Sequence, residues 1–371
     1  MSFQFKKKVV LLISPEDWNH VFVSKHHYAI ELAHRGNEVY FLNPPLEDGE
    51  ALKITPVNEH HGLYNVSYKI FFRGLRFLPS FLMRAIERKF IQAIEKQIGK
   101  KFDVIWNFEN SRFYDLRFAG KNVLKIYHQV DHTQIFHPET AARTADIVFA
   151  VNTPIFDELK PFHKLTFKMP HAFQGSLSHQ ASEILNGHYI YKKRERLKAY
   201  YVGNLDFYVI DKALMEELVK ANDRVDFVLI GPYDAKGETY SRLNKYGHVQ
   251  FMGKVPAKEI PGHLSDADLL FFVHDPKLIS SSHKILEYFA SGKLIVSTYL
   301  LEYEQWKQLL NMQPDEASFL KAFKESVTNI EQHNDPARMK QRICFAMEHT
   351  YQKQLDRIEK IISETMENKM K

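Results

Sequence analysis

The chain has 371 residues, 44% of them hydrophobic and 26% charged, and a formal net charge of +5. That length suffices for two domains, and 28 Phe with 18 Tyr exclude a disordered chain. A single cysteine, Cys344, excludes a disulfide framework and a cysteine-based zinc site; the modest positive charge suits phosphorylated ligands or an anionic membrane better than dedicated nucleic-acid binding. In chain order, the basic start precedes an apolar run over 9–13, too short for a signal-peptide core. No stretch reaches the roughly 20 apolar residues of a membrane-spanning helix. A cytoplasmic location is the expectation, peripheral on the inner face of the membrane if the segment discussed last binds lipid.

Apolar runs alternate with helical patterns almost throughout, which predicts parallel sheets covered on both faces. A strand over 9–14, a helix over 21–35 closed by Gly36 and a strand over 38–43 stopped by Pro44-Pro45 open the chain. That βαβ opening lacks Gly-x-Gly-x-x-Gly, so it carries no dinucleotide fingerprint. Further strands are expected at 103–107, 123–127, 147–151 and 165–169. Residues 172–196 are polar and then basic, which reads as a hinge. The alternation resumes with strands at 199–202, 226–230, 249–252, 268–273 and 294–296, and from Pro336 onward one long amphipathic helix is predicted. The expected division is a Rossmann-like domain over 1–172, a linker over 173–198, a second Rossmann-like domain over 199–345 and a helix over 346–371. Two doubly wound α/β domains facing a cleft suit a group transferase. Ligands bind at the carboxyl ends of parallel strands, and closure would exclude water.

The densest motif lies at 280–298. Ser280, Ser281 and Ser282 open a short helix whose free N–H groups suit an anion. Lys284 sits in the first turn, and Glu287 shares its face three residues on. Gly292 ends the helix before a buried-looking strand. A phosphate at the helix start and ribose hydroxyls on the carboxylate would describe a nucleotide site. A surface Lys–Glu pair on an ordinary βαβ helix accounts for these residues equally well.

The run Lys284-Ile285-Leu286-Glu287-Tyr288-Phe289-Ala290-Ser291-Gly292-Lys293 resembles the donor-binding motif of GT-B glycosyltransferases close to glycosyltransferase family 4. The resemblance gives Glu287 the ribose and Lys284 the diphosphate. Tyr201-Val202-Gly203-Asn204-Leu205 resembles the family's Gly-Arg-Leu turn, with Asn204 in place of the arginine. Phe251-Met252-Gly253-Lys254-Val255 resembles its Phe-x-Gly-x-Val segment, which implies backbone contact of Gly253 and Val255 with the base. The family's first glutamate, eight residues before the second, is here Ile279.

In the first half, Tyr127-His128-Gln129-Val130-Asp131-His132 follows an apolar strand. His128 and Asp131 are candidate catalytic residues, since an imidazole or carboxylate there can orient or deprotonate a nucleophile. Ser14, Asp17, His27 and His171 are candidates for the acceptor side. His128, His132 and His137 lack the helical spacing of a zinc site, and Asp266-Ala267-Asp268 reads as a turn before a strand, so neither a metal nor another cofactor is expected. Residues 69–90 combine Lys69, Arg73, Arg76, Arg84, Arg88 and Lys89 with one acid, Glu87, among interleaved Phe and Leu. That pattern fits either an anionic membrane surface or a domain helix with a core side.

The resemblance implies transfer of a sugar from a nucleoside-diphosphate sugar to a hydroxyl, the expected partners being a glycan or lipid-linked saccharide of surface polysaccharide synthesis, with retention of configuration. A nucleotide-sugar epimerase of the same fold, which needs no acceptor, and a non-catalytic nucleotide-sugar binder remain open alternatives. No nucleic-acid partner is expected.

Overall fold

A computed structural model describes residues 3–20, 22–132, 136–275 and 284–370. Contacts divide the chain into two units, Met1–Ala172 with Tyr351–Lys371, and Phe173–Thr350.

The first unit is built on eight strands: β1 (Val9–Ile13), β2 (Glu38–Leu42), β3 (Leu52–Pro56), β4 (Leu63–Tyr68), β5 (Val104–Asn107), β6 (Leu124–Gln129), β7 (Ile147–Ala150) and β8 (Thr166–Lys168). Their order is β3-β4-β2-β1-β5-β6-β7-β8. The central strands are continuous apolar runs because both faces are covered. One face packs Tyr28, Trp106 and Phe149 with Leu355, Ile358 and Ile362 from the helix Tyr351–Met370. The other packs Phe90, Ile94 and Phe113. Helix α1 (Ser24–His34) links β1 to β2, and α2 (Ser80–Ile98) precedes β5. The sequence reading passed over residues 52–68, where β3 runs antiparallel to β4 at the sheet edge. Their half-buried, polar-interrupted pattern hides them among loop residues.

The second unit has six strands: β9 (Leu197–Val202), β10 (Val225–Ile230), β11 (Val249–Gly253), β12 (Leu269–Phe272), β13 (Leu294–Thr298) and β14 (Asn311–Gln313). They are all parallel, in the order β11-β10-β9-β12-β13-β14. Strand order reverses between β9 and β12 here, and between β1 and β5 in the first unit. Such reversals splay the connections apart and leave a crevice at the carboxyl ends.

Two expectations change. Residues 173–198 belong to the second unit from Phe173 onward. Ser178 caps a helix, His179–Leu185, by accepting from the Ala181 N–H. Ala181, Ile184 and Tyr191 enter the core; the polar residues between them disguise these anchors. The single helix predicted from Pro336 is two, Pro336–Glu348 and Tyr351–Met370. The backbone leaves helical geometry at His349, whose carbonyl accepts from the Phe173 N–H at 2.8 Å, and Thr350 bridges to Phe173.

At the amino ends of β9, β12 and β13 lies a polar cluster. Asp266 accepts from Arg194, Lys198 and Tyr200, each at 2.8 Å. Asp268 accepts from the Tyr191 hydroxyl and the Lys198 N–H. The Asp-x-Asp pair thus serves the turn and its ion pairs. Lys293, 2% exposed, lies over the rings of Tyr189 and Tyr191. Burial pulls its ammonium from 10.5 to about 8, with Asp268 opposing and Arg194 assisting. Between those values the unfolded chain binds the proton that the folded chain has lost, so this group makes stability rise with pH through that window. Below it the buried charge costs about 3 kcal/mol. Lys293→Met should therefore melt above the wild type at pH 7, with the gap closing by pH 10. A constant gap in calorimetry would show that Lys293 keeps its ordinary pKa.

Candidate functional site

In the second unit, the helix Lys284–Ser291 follows β12 at the strand-order reversal. Ile285, Leu286, Tyr288 and Phe289 are buried, which turns Lys284 and Glu287 to the half-buried side. The Val202 N–H donates to the Tyr288 hydroxyl at 2.7 Å, tying this helix to the end of β9. Burial pushes the Glu287 carboxyl up, while the Lys284 charge pulls it down. Gly292, at φ +76°, stops the helix.

Strands β9, β10 and β11 end side by side in glycines. The Gly203 N–H donates to the Ile230 carbonyl and the Gly231 N–H to the Gly253 carbonyl, both at 2.8 Å. Gly231 has φ +139°, and a Cβ there would lie 1.7 Å from the Gly203 carbonyl oxygen. Gly253, at φ +69°, has open space around it. The result is a stretch of bare backbone at the carboxyl edge, where a ligand can approach main-chain groups. Asn204 is exposed, and its Oδ1 accepts from the Asp206 N–H. Val255 is half-buried against the core. Ser280, Ser281, Ser282 and Ile279 lie outside the described residues.

His274, just past β12, is buried. Its N–H donates to Thr298 Oγ1, which donates back to the His274 carbonyl. Its ring packs on Phe272 at 3.9 Å. Burial, then the Lys284 charge, hold its imidazole at about 3.

In the first unit, side chains gather at the carboxyl ends of β1, β6 and β8. Lys25, near the start of α1 and 3% exposed, pairs with Glu16 at 2.6 Å. His128 is 1% exposed, beside Phe108, Phe149 and Tyr28. Burial, then the neighbouring His171 and Lys25, hold it at about 3. His171 lies 3.3 Å from Ser24 Oγ; burial and Lys25 hold it at about 4, with Asp131 opposing. Asp131 is exposed. A hydrogen-bonded series from Asn110 through Tyr127 and Gln129 to the Asp131 carbonyl supports its loop.

Residues 197–329 match the family Glycosyl transferases group 1. That match lies within the second unit and takes in the helix Lys284–Ser291 and the ends of β9, β10 and β11. Solved structures agree on the fold. The sucrose-phosphate synthase of Thermosynechococcus elongatus is similar at 14% identity and TM-score 0.65, over 97% of this chain and 100% of that one. Anabaena HepE, in complex with UDP and glucose, is similar at 14% identity and TM-score 0.62, over 97% and 99%. WaaG, a glycosyltransferase involved in lipopolysaccharide biosynthesis, is similar at 12% identity and TM-score 0.60, over 96% and 100%. No curated protein sequence matches significantly.

Of the candidates, Lys284, Glu287 and Gly203 assemble around the β9–β12 reversal, and Gly253 ends β11, two strands from β9. His128, Asp131 and His171 come together in the first unit. Three others are used locally. Ser14 donates to the Glu16 carbonyl and accepts its N–H, and Asp17 accepts from Asn19. His27 packs on Tyr351 at 4.9 Å, with burial holding it at about 4. An imidazole held at about 3 is neutral at pH 7. Sequence reasoning missed Lys25, Tyr288 and His274. The helix start Ser24-Lys25 after the first strand was the available signal for Lys25; nothing in the spacing marks His274.

Proposed function

We propose that this glycosyltransferase moves a hexose from a nucleoside-diphosphate sugar to a hydroxyl of a glycan or lipid-linked saccharide, with retention, in surface polysaccharide synthesis. The observation that carries the donor half is the Lys284–Glu287 pair on a helix locked by Tyr288 to the glycine end of β9, inside the region matching the family. Glu287 accepts the ribose hydroxyls. Lys284 and the helix start hold the diphosphate, while Gly203, Asn204, Gly253 and Val255 border the nucleotide. In the first unit, His128, His171 and Asp131 hydrogen-bond sugar hydroxyls. The bond from anomeric carbon to diphosphate oxygen breaks, the acceptor oxygen bonds to that carbon, and its proton passes to the departing diphosphate. Lys284 stabilises the charge that develops there. HepE, crystallised with UDP and glucose, makes UDP-glucose the first donor to test.

The test is a thermal-shift series with UDP- and GDP-sugars, with and without EDTA. At least one nucleotide sugar should raise the melting temperature. EDTA should leave both that shift and subsequent transfer unchanged, because a helix start and a lysine supply the charge that a metal would otherwise bring. No shift with any nucleotide sugar, or loss of transfer restored by a divalent cation, would contradict this reading.

A further inference from the structure

The segment between β4 and the middle of α2 turns one set of apolar side chains inward and another outward. Phe71 stacks on Phe90 at 4.5 Å, and Met83 and Phe90 are buried. Ile70, Phe72 and Leu82 are exposed, as are Phe81 at 61% and Phe77 at 77%. Gly74, at φ +82°, opens the short 3-10 turn Leu75–Phe77 that displays Phe77. Phe81 and Leu82 occupy the first turn of α2. Ala85 and Lys89 continue the exposed side of that helix at helical spacing.

Among the described residues of 69–90, the exposed charges are cationic. Arg73 and Lys89 are exposed, with no ion pair among the described residues, and Lys69 reaches only the exposed Asp48, at 3.4 Å. Arg84 and Arg88 are engaged within the unit: Arg84 pairs with Asp115, and Arg88 donates to the Phe118 and Arg117 carbonyls. These contacts anchor α2 to its unit and leave its first turn outward. Glu87, the one acid between residues 69 and 90, is buried, with one oxygen accepting from the Phe113 N–H. Burial pushes its carboxyl up to about 8, so it adds no negative charge to the surface at neutral pH. Among the described residues, no helix is long and apolar enough to cross a membrane.

We propose that Ile70, Phe72, Phe77, Phe81 and Leu82, flanked by Arg73 and Lys89, form the surface through which the first unit docks on an anionic lipid bilayer. A protein partner would be expected to find both signs of charge at such a patch. Aromatic and aliphatic tips flanked by the cations Arg73 and Lys89, with the exposed Asp48 paired to Lys69, instead match an interface of apolar chains beneath anionic headgroups. The attachment is peripheral: rings enter the headgroup boundary while the cations remain at phosphate level. The proposal deepens the lipid-linked acceptor reading, because it brings the enzyme to the surface where such an acceptor resides. It stands on the exposed residues alone and holds for any donor sugar.

Co-sedimentation of the full chain with extruded vesicles tests it. Vesicles of phosphatidylcholine with 30% phosphatidylglycerol should pellet the protein at low salt. Pure phosphatidylcholine should pellet far less, and half-molar salt should release most of what binds, since the Debye length then shrinks to a few ångströms. Phe77→Ser with Phe81→Ser should lower the bound fraction at least fivefold. Arg73→Glu with Lys89→Glu should abolish the preference for the anionic lipid. Both variants should keep the wild-type melting temperature and nucleotide-induced shift, since all four side chains lie outside the core and the donor site. Equal binding by wild type and the Phe77/Phe81 variant overturns the proposal, as does a wild type that ignores anionic vesicles at low salt. Lipid-independent dimerisation abolished by the same serines overturns it in favour of a second copy. The nucleotide shift is read in the same samples, so failed docking with an intact shift leaves the donor reading standing.

Discussion

Glu287→Ala should bind nucleoside diphosphates and their sugars at least tenfold more weakly than the wild type, by isothermal calorimetry. A carboxylate accepting both ribose hydroxyls makes charge-assisted bonds whose loss costs about 1.5–3 kcal/mol, and about 1.4 kcal/mol corresponds to a factor of ten. The helix should survive the change. Its hold on the sheet comes from Ile285, Leu286, Phe289 and the Tyr288 hydroxyl, and the half-buried carboxyl of Glu287 is destabilised by burial. The same shift sets a pH dependence. Since burial raises the carboxyl above its ordinary value, it takes up its proton at higher pH than an exposed glutamate. Affinity should therefore start to fall at a higher pH than for an ordinary carboxylate as the solution is acidified, and Glu287→Ala should lack that fall. Wild-type affinity in a folded Glu287→Ala protein would remove this residue from the site.

Gly231→Ala should destabilise the second unit by at least about 3 kcal/mol, lowering its melting temperature by roughly 6–12 °C. Two costs combine. The backbone at φ +139° is a conformation that L-residues scarcely adopt, and the new methyl would lie 1.7 Å from the Gly203 carbonyl oxygen. That oxygen belongs to a strand end, so it cannot swing aside as a flexible side chain would. Gly253→Ala is the control. It also carries positive φ, yet its Cβ would meet nothing within 4 Å, so only the left-handed penalty of about 1–2 kcal/mol applies. Calorimetry should rank the two variants in that order. A Gly231→Ala protein melting within two degrees of wild type would show that β9 and β10 separate more easily than their hydrogen bonds indicate. Where the main chains spread, nucleotide affinity should fall with stability, because Gly203 borders the proposed donor site.

The parts of this molecule legible in sequence are those whose burial is continuous. Runs such as Val9 to Ile13 and Leu269 to Phe272 are apolar at every position, because parallel strands are covered on both faces. Gly292 and Gly36 mark helix ends through their positive φ. Illegible were the elements with mixed exposure. β3 and β4 alternate half-buried residues with polar ones, and the helix His179–Leu185 anchors itself by only two buried side chains. At the site, Lys284 and Glu287 were readable because three-residue spacing places them on one helix face. Lys25 was not, since its partner Glu16 sits in the preceding loop and its neighbours His128 and His171 come from β6 and from beyond β8. His274 lies at a strand end like many others; only the fold places the Lys284 charge beside it. For residues 69–90 the sequence allowed core or lipid, and the structure divides the side chains between inside and outside, with Phe71 inward and Phe72 outward.

The return of the chain from Thr350 to Tyr351 sets the order in which the molecule can mature during synthesis. The second unit is one uninterrupted stretch, and every residue of its core is available once Thr350 has left the ribosome. The first unit is begun earlier and finished later. Its sheet exists in sequence by Lys168, yet Leu355, Ile358 and Ile362, which fill one of its faces, are still untranslated. At bacterial or eukaryotic elongation rates that face stays open for roughly ten to forty seconds. An early-started sheet with a late-arriving cover is a nascent species with an exposed apolar side. A chaperone that binds such surfaces would meet the first unit before its own last helix does.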